Sequence, residues 1–442
     1  MDLSLIAFIT IFIIVLLLIS GRVSPIIALV LVPIIGAFFA GFDITQIGDF
    51  FDEGIASVIN VVIMFIFAIL FFGIMQDVGL FDPLINKLIA ISRGNVIAVS
   101  VGSVLIAMVA QLDGSGASTF LITIPALLPL YNRLKMNPYL LLLLIGGSAS
   151  VMNMLPWAGP LGRSASVLEM DVTELWRPLI PIQIIGMVLM IGLAVFLGYF
   201  EQRRIRKKYG DVQSAAALEE EADEDQSANE PQNRKWQRPK LLWVNIMLAI
   251  AVIGVLVWGI IPAGFVFMIG VSIALPINYP KMSDQMERIR AHAPNALMMA
   301  TIILAAGSFL GILNGTGMLD SIAEDTVKVL PAFVAPYVHL IIGFLGVPFE
   351  LLLSTDAYYF ALLPVVDQIA AGFDIASLST AYSMIIGSIV GTFISPFSPA
   401  LWLALGLAGL EMGKHIRYSI LWLWAISIIL LIVACLMGII TL

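Results

Sequence analysis

Residues Ala110-Gln111-Leu112-Asp113-Gly114-Ser115-Gly116-Ala117-Ser118-Thr119 form a polar, glycine-rich interruption between two apolar arms, 95–112 and 119–131. A spanning helix needs about 20 apolar residues, so neither arm crosses a bilayer comfortably alone. Backbone at membrane depth must be helical unless it lines a protein-enclosed or wet cavity. A re-entrant hairpin over 95–133 meets both constraints: in with one helix, a glycine tip, out with another. Phe349-Glu350-Leu351-Leu352-Leu353-Ser354-Thr355-Asp356 is a second such interruption, placing a second hairpin over 332–369. Matched interruptions in the two halves of a membrane chain mark a transporter binding site.

The composition agrees with a membrane setting. Of 442 residues, 60% are hydrophobic and 12% charged, whereas soluble domains carry roughly 25% charged residues. The apolar runs are long and uniform, which excludes the alternating ten-residue pattern of a barrel. Cys435, the sole cysteine, rules out disulfides and cysteine metal sites. Walker, dinucleotide and zincin motifs are absent, so neither ATP-driven pumping nor an enzyme is expected. No nucleic-acid partner and no permanently bound cofactor are expected either. His292, His339 and His415 stand far apart and read as loop or interfacial residues, and Met298, Met299 and Trp402 as lipid-facing or packing residues.

Apolar runs fall at 3–20, 24–41 and 58–76, followed by an amphipathic stretch at 81–93 that suits the interface. The first run lacks a basic leader and a small-residue cleavage site, so it is expected to remain as a helix. After the hairpin, the run 138–170 is interrupted by Asn153-Met154-Leu155-Pro156-Trp157-Ala158-Gly159-Pro160. Two prolines and a glycine predict an unwound midpoint. A run at 178–200 completes the first unit, and 201–240, charged and Ala/Gln/Ser-rich, reads as a disordered linker.

The second half repeats the first. Gly73-Ile74-Met75 through Gly79-Leu80-Phe81-Asp82 matches Gly311-Ile312-Leu313 through Gly317-Met318-Leu319-Asp320, and Gly147-Ser148, Pro156 and Arg177 match Gly387-Ser388, Pro396 and Arg417. The expected units are therefore 1–200 and 241–442, the second containing a broken helix at 378–411. Five spans per unit, with hairpins that do not cross, make the repeats inverted. Nineteen of the 22 lysines and arginines then fall on the linker side. The exceptions are Arg163, Arg177 and Lys328. By the positive-inside rule the linker is cytoplasmic and both termini lie outside. The expected fold is an all-α integral membrane protein of the cell's inner or plasma membrane, in contact with lipid.

Helix ends dominate the candidate site. Ser118, Thr119, Ser354 and Thr355 are suited to capping the helices that leave the tips. Free N–H groups at such ends attract anions. Gly159 to Arg163 and Ser395 to Pro399, with Pro160 and Ser398 between, supply two further ends. Gly114, Ser115 and Gly116 complete the first tip. Converging ends of this kind fit a compact polyanion. Arg163 is the nearby cation, either for a carboxylate or for Glu169 or Asp171. Asn153 either offers its amide to substrate or satisfies the broken helix. Asp113, Glu350 and Asp356 are candidates for a proton or a hard cation; the alternatives are capping of the tip backbone for Asp113, complementing the first turn of its helix for Asp356, and facing the outer vestibule for Glu350.

Leu112-Asp113-Gly114-Ser115-Gly116, Thr119-Phe120-Leu121-Ile122-Thr123, Asn153 through Pro156-Trp157-Ala158-Gly159-Pro160 to Arg163, and Ser354-Thr355-Asp356-Ala357-Tyr358-Tyr359 resemble the citrate–metal–proton symporter family of the ion transporter superfamily. The resemblance implies import of citrate or a related di- or tricarboxylate, complexed with Mg²⁺ or Ca²⁺ and driven by protons. It also implies a homodimer working by an elevator-type motion. Carried over by position, the substrate residues are the two tips, Asn153 to Arg163 and Ser395 to Pro399. Ser115 departs from the pattern, standing where family members often carry a second acid. Sodium-coupled carboxylate symport, or antiport of a small ion, is the alternative within the superfamily.

Overall fold

The computed structural model describes residues 3–20, 22–83, 85, 87, 95–209, 235–329 and 334–441, and among these the chain is helical without strands. Helices α1 (Leu3–Ser20) and α2 (Pro25–Phe39) match the first two runs. Ser24 accepts from the Ile26 amide at the start of α2, with Pro25 at the first helical position where its missing N–H costs nothing. Helix α3 (Ile44–Asp77) begins well before the run at 58–76. A capping box explains the early start: Asp43 accepts from the Thr45 and Gln46 amides, and Gln46 accepts from the Asp43 amide. Asp49, Asp52 and Glu53 hide this first half from a search for apolar runs.

The first hairpin consists of α4 (Val96–Ala110), a 3₁₀ turn at Gln111–Asp113, and α5 (Gly116–Arg133). With its turn, the ascending arm reaches 18 residues, enough by length to cross a membrane. The chain turns at Gly114, which adopts φ 74°, and α5 packs against α4. Left-handed backbone of this kind is natural only for glycine. Next come α6 (Pro138–Met152), an irregular segment through Ala158, and α7 (Gly159–Val167). A short α8 (Val172–Trp176) leads into α9 (Ile180–Tyr209). Helix α9 carries the basic residues Arg203 to Lys208, so the stretch assigned to the linker is helical through Tyr209. Residues 210–234, most of the amphipathic stretch 81–93, and the start of the second hairpin lie outside the described residues.

The second half contains α10 (Leu242–Trp258), α11 (Ala263–Asn278), α12 (Met282–Gly315) and α13 (Met318–Val329). Its hairpin is built from α14 (Val338–Phe344), α15 (Gly346–Glu350), a tip at 351–356, a π-helical stretch at Ala357–Leu362, and α16 (Leu363–Ala371). Helix α17 (Ser377–Ile389), a break through Ser398, α18 (Pro399–Ala408) and α19 (Met412–Leu436) complete the chain.

Helices α3 and α12 have 34 residues each. At 1.5 Å per residue each is about 51 Å long, well beyond the ~30 Å hydrocarbon core, so each tilts or projects. They pack closely on glycines: a Cβ on Gly54 would lie 2.1 Å from the Gly307 carbonyl oxygen, and one on Gly311 would lie 2.2 Å from that of Phe50. Small residues let backbones approach where lipid offers no hydrophobic drive for association. The same device joins α14 to α17, where a Cβ on Gly387 would lie 2.0 Å from the Gly343 carbonyl oxygen. Among the described residues, six segments are long and apolar enough to cross a membrane: Ile44–Asp77, Val96–Asp113, Val172–Lys208, Pro239–Trp258, Met282–Gly315 and Met412–Leu436. Several shorter apolar helices accompany them, making the chain a multi-pass membrane protein.

Candidate functional site

Each hairpin tip meets both broken helices. At the first tip, Gln111 is fully buried and links three elements. Its amide donates to Asn153 Oδ1 at 2.8 Å, and its carbonyl oxygen accepts from Thr119 Oγ1 at 2.6 Å. Asn153 thus satisfies the tip, and Thr119 is occupied within the hairpin; capping falls to Ser115, whose Oγ accepts from the Ser118 amide at 3.4 Å. Ser118 Oγ also donates to Ser115 Oγ, at 3.2 Å. Asp113 accepts from the Ser115 amide at 2.8 Å, which is the turn-capping role.

Trp157, in the first break, fixes this tip to the rest of the molecule. Its indole N–H donates to the Leu112 carbonyl at 2.8 Å while its ring stacks on Phe72 of α3, with centroids 4.6 Å apart, and meets Phe267 of α11 edge-on. Gly114 lies against the same indole. The tip reaches the second break through Phe393: a Cβ on Gly116 would lie 2.5 Å from its ring, and Phe120 packs on it edge to face.

At the second tip, Ser354 Oγ accepts from the Ala357 amide at 3.2 Å, as expected of a cap. Asp356, two residues further, is bound across the molecule: Arg163 Nε donates to its Oδ1 at 2.6 Å. Arg163 therefore pairs with Asp356 rather than with Glu169 or Asp171. Asp171 instead accepts from the amide and hydroxyl of Thr173, and Glu169 and Asp171 line a cavity of about 350 Å³ with Asn60 and Pro262, away from the tips. The Arg163 guanidinium also lies over the Phe360 ring. Gly159 makes room for it, since a Cβ there would lie 2.5 Å from one terminal nitrogen.

Glu350 is 1% exposed, and neither carboxylate oxygen has a hydrogen-bond partner. It faces Gly391 at the start of the second break and lies within electrostatic reach of Arg163 and Asp356. An unsatisfied buried carboxylate is costly. Tyr359 shares a 2.8 Å hydrogen bond with Ser388, tying the π-helical stretch to α17. In the second break, Ser395 Oγ accepts from the Phe397 amide and is buried, while Ser398 precedes Pro399 without a side-chain cap. Thr355 stands between Ser354 and Asp356 at the second tip, and Pro160 is buried at the first turn of α7.

Sequence reasoning left Gln111 out of the site, although it stands inside the polar interruption and a buried amide there needed a partner. It also missed a buried cluster at the linker end of α3. His292 Nε2 lies 2.7 Å from Asp77 Oδ2, and Arg288 Nη1 lies 3.2 Å from the same oxygen. His339 and His415 are buried as well, donating from Nε2 to the Thr441 and Phe393 carbonyls, and all three histidines lie in helices.

The fold and site together define a multi-pass helical membrane protein with two hairpin tips and two broken helices gathered around polar and charged groups. The sequence places it more narrowly. A profile described as "Citrate transporter" matches residues 4–391, and the chain belongs to this citrate transporter family. It is 36% identical over 439 residues to a Bacillus subtilis (strain 168) protein named "Citrate transporter", covering 99% of this chain and 100% of that one. Another relative from the same strain, "Mg(2+)/citrate complex secondary transporter", is 35% identical over 441 residues, covering 99% and 98%. Among solved structures, the Alcanivorax borkumensis YdaH transporter, described as having an unusual topology, aligns with a TM-score of 0.62 over 99% of both chains. At 14% identity that likeness concerns the fold alone.

Proposed function

We propose that this protein imports citrate, as its complex with Mg²⁺ or Ca²⁺, by proton symport. The observation that carries the reading is the Arg163–Asp356 pair, which sets a cation between a broken helix and a hairpin tip. Family membership and the Mg²⁺/citrate relative support the substrate. On this reading the tip residues Gly114, Ser115, Gly116, Ser118, Thr119, Ser354 and Thr355 surround the substrate. Asn153, Gly159, Pro160, Arg163, Ser395 and Ser398 do so from the broken helices.

Citrate exchanges Asp356 for one of its own carboxylates at the Arg163 fork, a geometry that guanidinium matches bidentately. The metal is cargo. Among the described residues no three His, Cys, Asp or Glu side chains gather into a metal site, so citrate supplies most of the ligands. Asp113, Asp356 and Glu350 are then the acids that take the coupling proton as Arg163 changes partner. The two units are read as inverted repeats of five spans with re-entrant hairpins, the linker cytoplasmic and both termini outside. Hairpins and broken helices move as one body, elevator-fashion, against a dimeric scaffold.

Calorimetric titration of the purified protein tests the substrate. Mg²⁺–citrate or Ca²⁺–citrate should bind, and Arg163→Ala should abolish the heat. Absence of citrate binding in any form overturns the reading.

A further inference from the structure

The Asp77–Arg288–His292 cluster has no part in the site described above, yet it joins that site to the end of the molecule where the linker re-enters. Asp77 ends α3, and Arg288 and His292 lie one turn apart on α12. All three side chains are largely buried, at 6%, 9% and 16% exposure. Buried charge of this kind inside an apolar protein marks function by default. Arg288 shares the Asp77 carboxylate with the imidazole.

The surroundings give the cluster two sides. Toward the linker, the Trp236 ring lies over the Arg288 guanidinium at 3.7 Å and carries Lys235 at 4.2 Å. Arg238 donates from its amide to the Val78 carbonyl, next to Asp77, and stacks on Tyr279. Toward the centre, the His292 ring lies on Gly73: a Cβ there would stand 2.5 Å from Nδ1. Helix α3 packs directly on the Gln111–Asp113 turn, and His292 lies within electrostatic reach of Asp113. The charged groups facing His292 are therefore Asp77 from α3, Arg288 and Glu287 from α12, Arg238 and Lys235 from the re-entering chain, and Asp113 from the hairpin. The Tyr279 hydroxyl lies within electrostatic reach of Asp77 and Arg288, and Asp284 lies within reach of Tyr279.

We propose that His292, held by Asp77 and Arg288, is the station through which protons pass between the linker end of the molecule and Asp113. A proton arriving from water at Asp77 moves to Nε2, the carboxylic O–H breaking as the N–H forms. Nδ1–H then gives up its proton through water to the Asp113 carboxylate, leaving neutral imidazole and a protonated acid at the tip. The role rests on the proton-coupled reading and makes His292 a proton-transfer residue that never touches citrate.

The test uses full-length protein in proteoliposomes with Mg²⁺–citrate, comparing the unsubstituted chain with His292→Gln. Glutamine keeps a hydrogen-bonding group near the Nε2 position and cannot titrate. Acid-driven net uptake should fall at least tenfold. Citrate exchange at equal pH, in which the loaded carrier need not release its proton, should fall less than threefold. Asp77→Asn should reproduce both results, and Gly73→Ala, by pushing the ring aside, should slow driven uptake more than exchange. Undiminished acid-driven uptake by His292→Gln overturns the proposal. So does a parallel loss of uptake and exchange, which would make the cluster structural. If the unsubstituted protein ignores the proton gradient, the symport reading fails first and the relay with it.

Discussion

Arg163 Nε and Asp356 Oδ1 are 2.6 Å apart although 193 residues separate them in the chain. The pair is the direct link between the first broken helix and the second hairpin tip, and its side chains are only 12% and 14% exposed. Two charges held this close inside an apolar protein stabilise each other, and removing one strands the other. A substrate carboxylate that takes the Nε donor must displace Asp356.

The exchange of partners requires a fork. Arg163→Lys keeps the charge but loses the bidentate geometry, so the KM for citrate should rise on the order of tenfold at a one-point contact, with folding retained. Initial uptake rates over a range of citrate concentrations check this, and an unchanged KM removes Arg163 from the substrate site.

Asn153 also holds the first tip in place. Asn153→Leu would leave the buried Gln111 amide without its 2.8 Å acceptor, a loss of about 1–3 kcal/mol. Thermal unfolding in detergent should shift down by several degrees, and Thr119→Val should act in the same direction by removing the donor to Gln111. Full stability in both variants would mean that the tip is fixed from elsewhere.

Gly307→Val tests the contact between the two long helices. A Cβ at this position already lies 2.6 Å from Val58 Cγ2 and 2.7 Å from the Gly54 carbonyl oxygen. Overpacking of this kind costs about 1–3 kcal/mol or more. Folded yield should fall, whereas valine at Gly254, which has open space around it, should be tolerated.

The parts of this fold legible in the sequence are those with local causes. The first hairpin follows from Gly114 and its polar neighbours, and the breaks at 153–158 and 390–398 from prolines and glycines that cannot continue a helix. Helix α3 was underestimated because Asp49, Asp52 and Glu53 resemble a loop until the Asp43 capping box is seen. Which residue caps the tip was misjudged by a few positions, since Ser115, Ser118 and Thr119 all suit the role and only the turn geometry chooses among them. Pairings over long separations, Arg163 with Asp356 and Asp77 with His292, leave no mark in a single sequence. They depend on how the two halves dock.

Ser115 offers a test of the metal. It caps α5 beside Asp113, and aspartate caps as well as serine does. Ser115→Asp should therefore fold normally while adding an oxygen donor for a hard cation at the tip. Uptake should become more dependent on divalent metal, read as a larger ratio of rates with and without Mg²⁺. An unaltered ratio places the cation away from this tip.

The most direct measurement is citrate uptake into proteoliposomes under an inward proton gradient, without metal, with Mg²⁺ and with Ca²⁺. Accumulation that requires both the gradient and a divalent cation is the predicted result, and it identifies the cation carried. Uptake driven by a sodium gradient alone, or accumulation of free citrate with no metal present, would contradict proton-coupled metal–citrate transport.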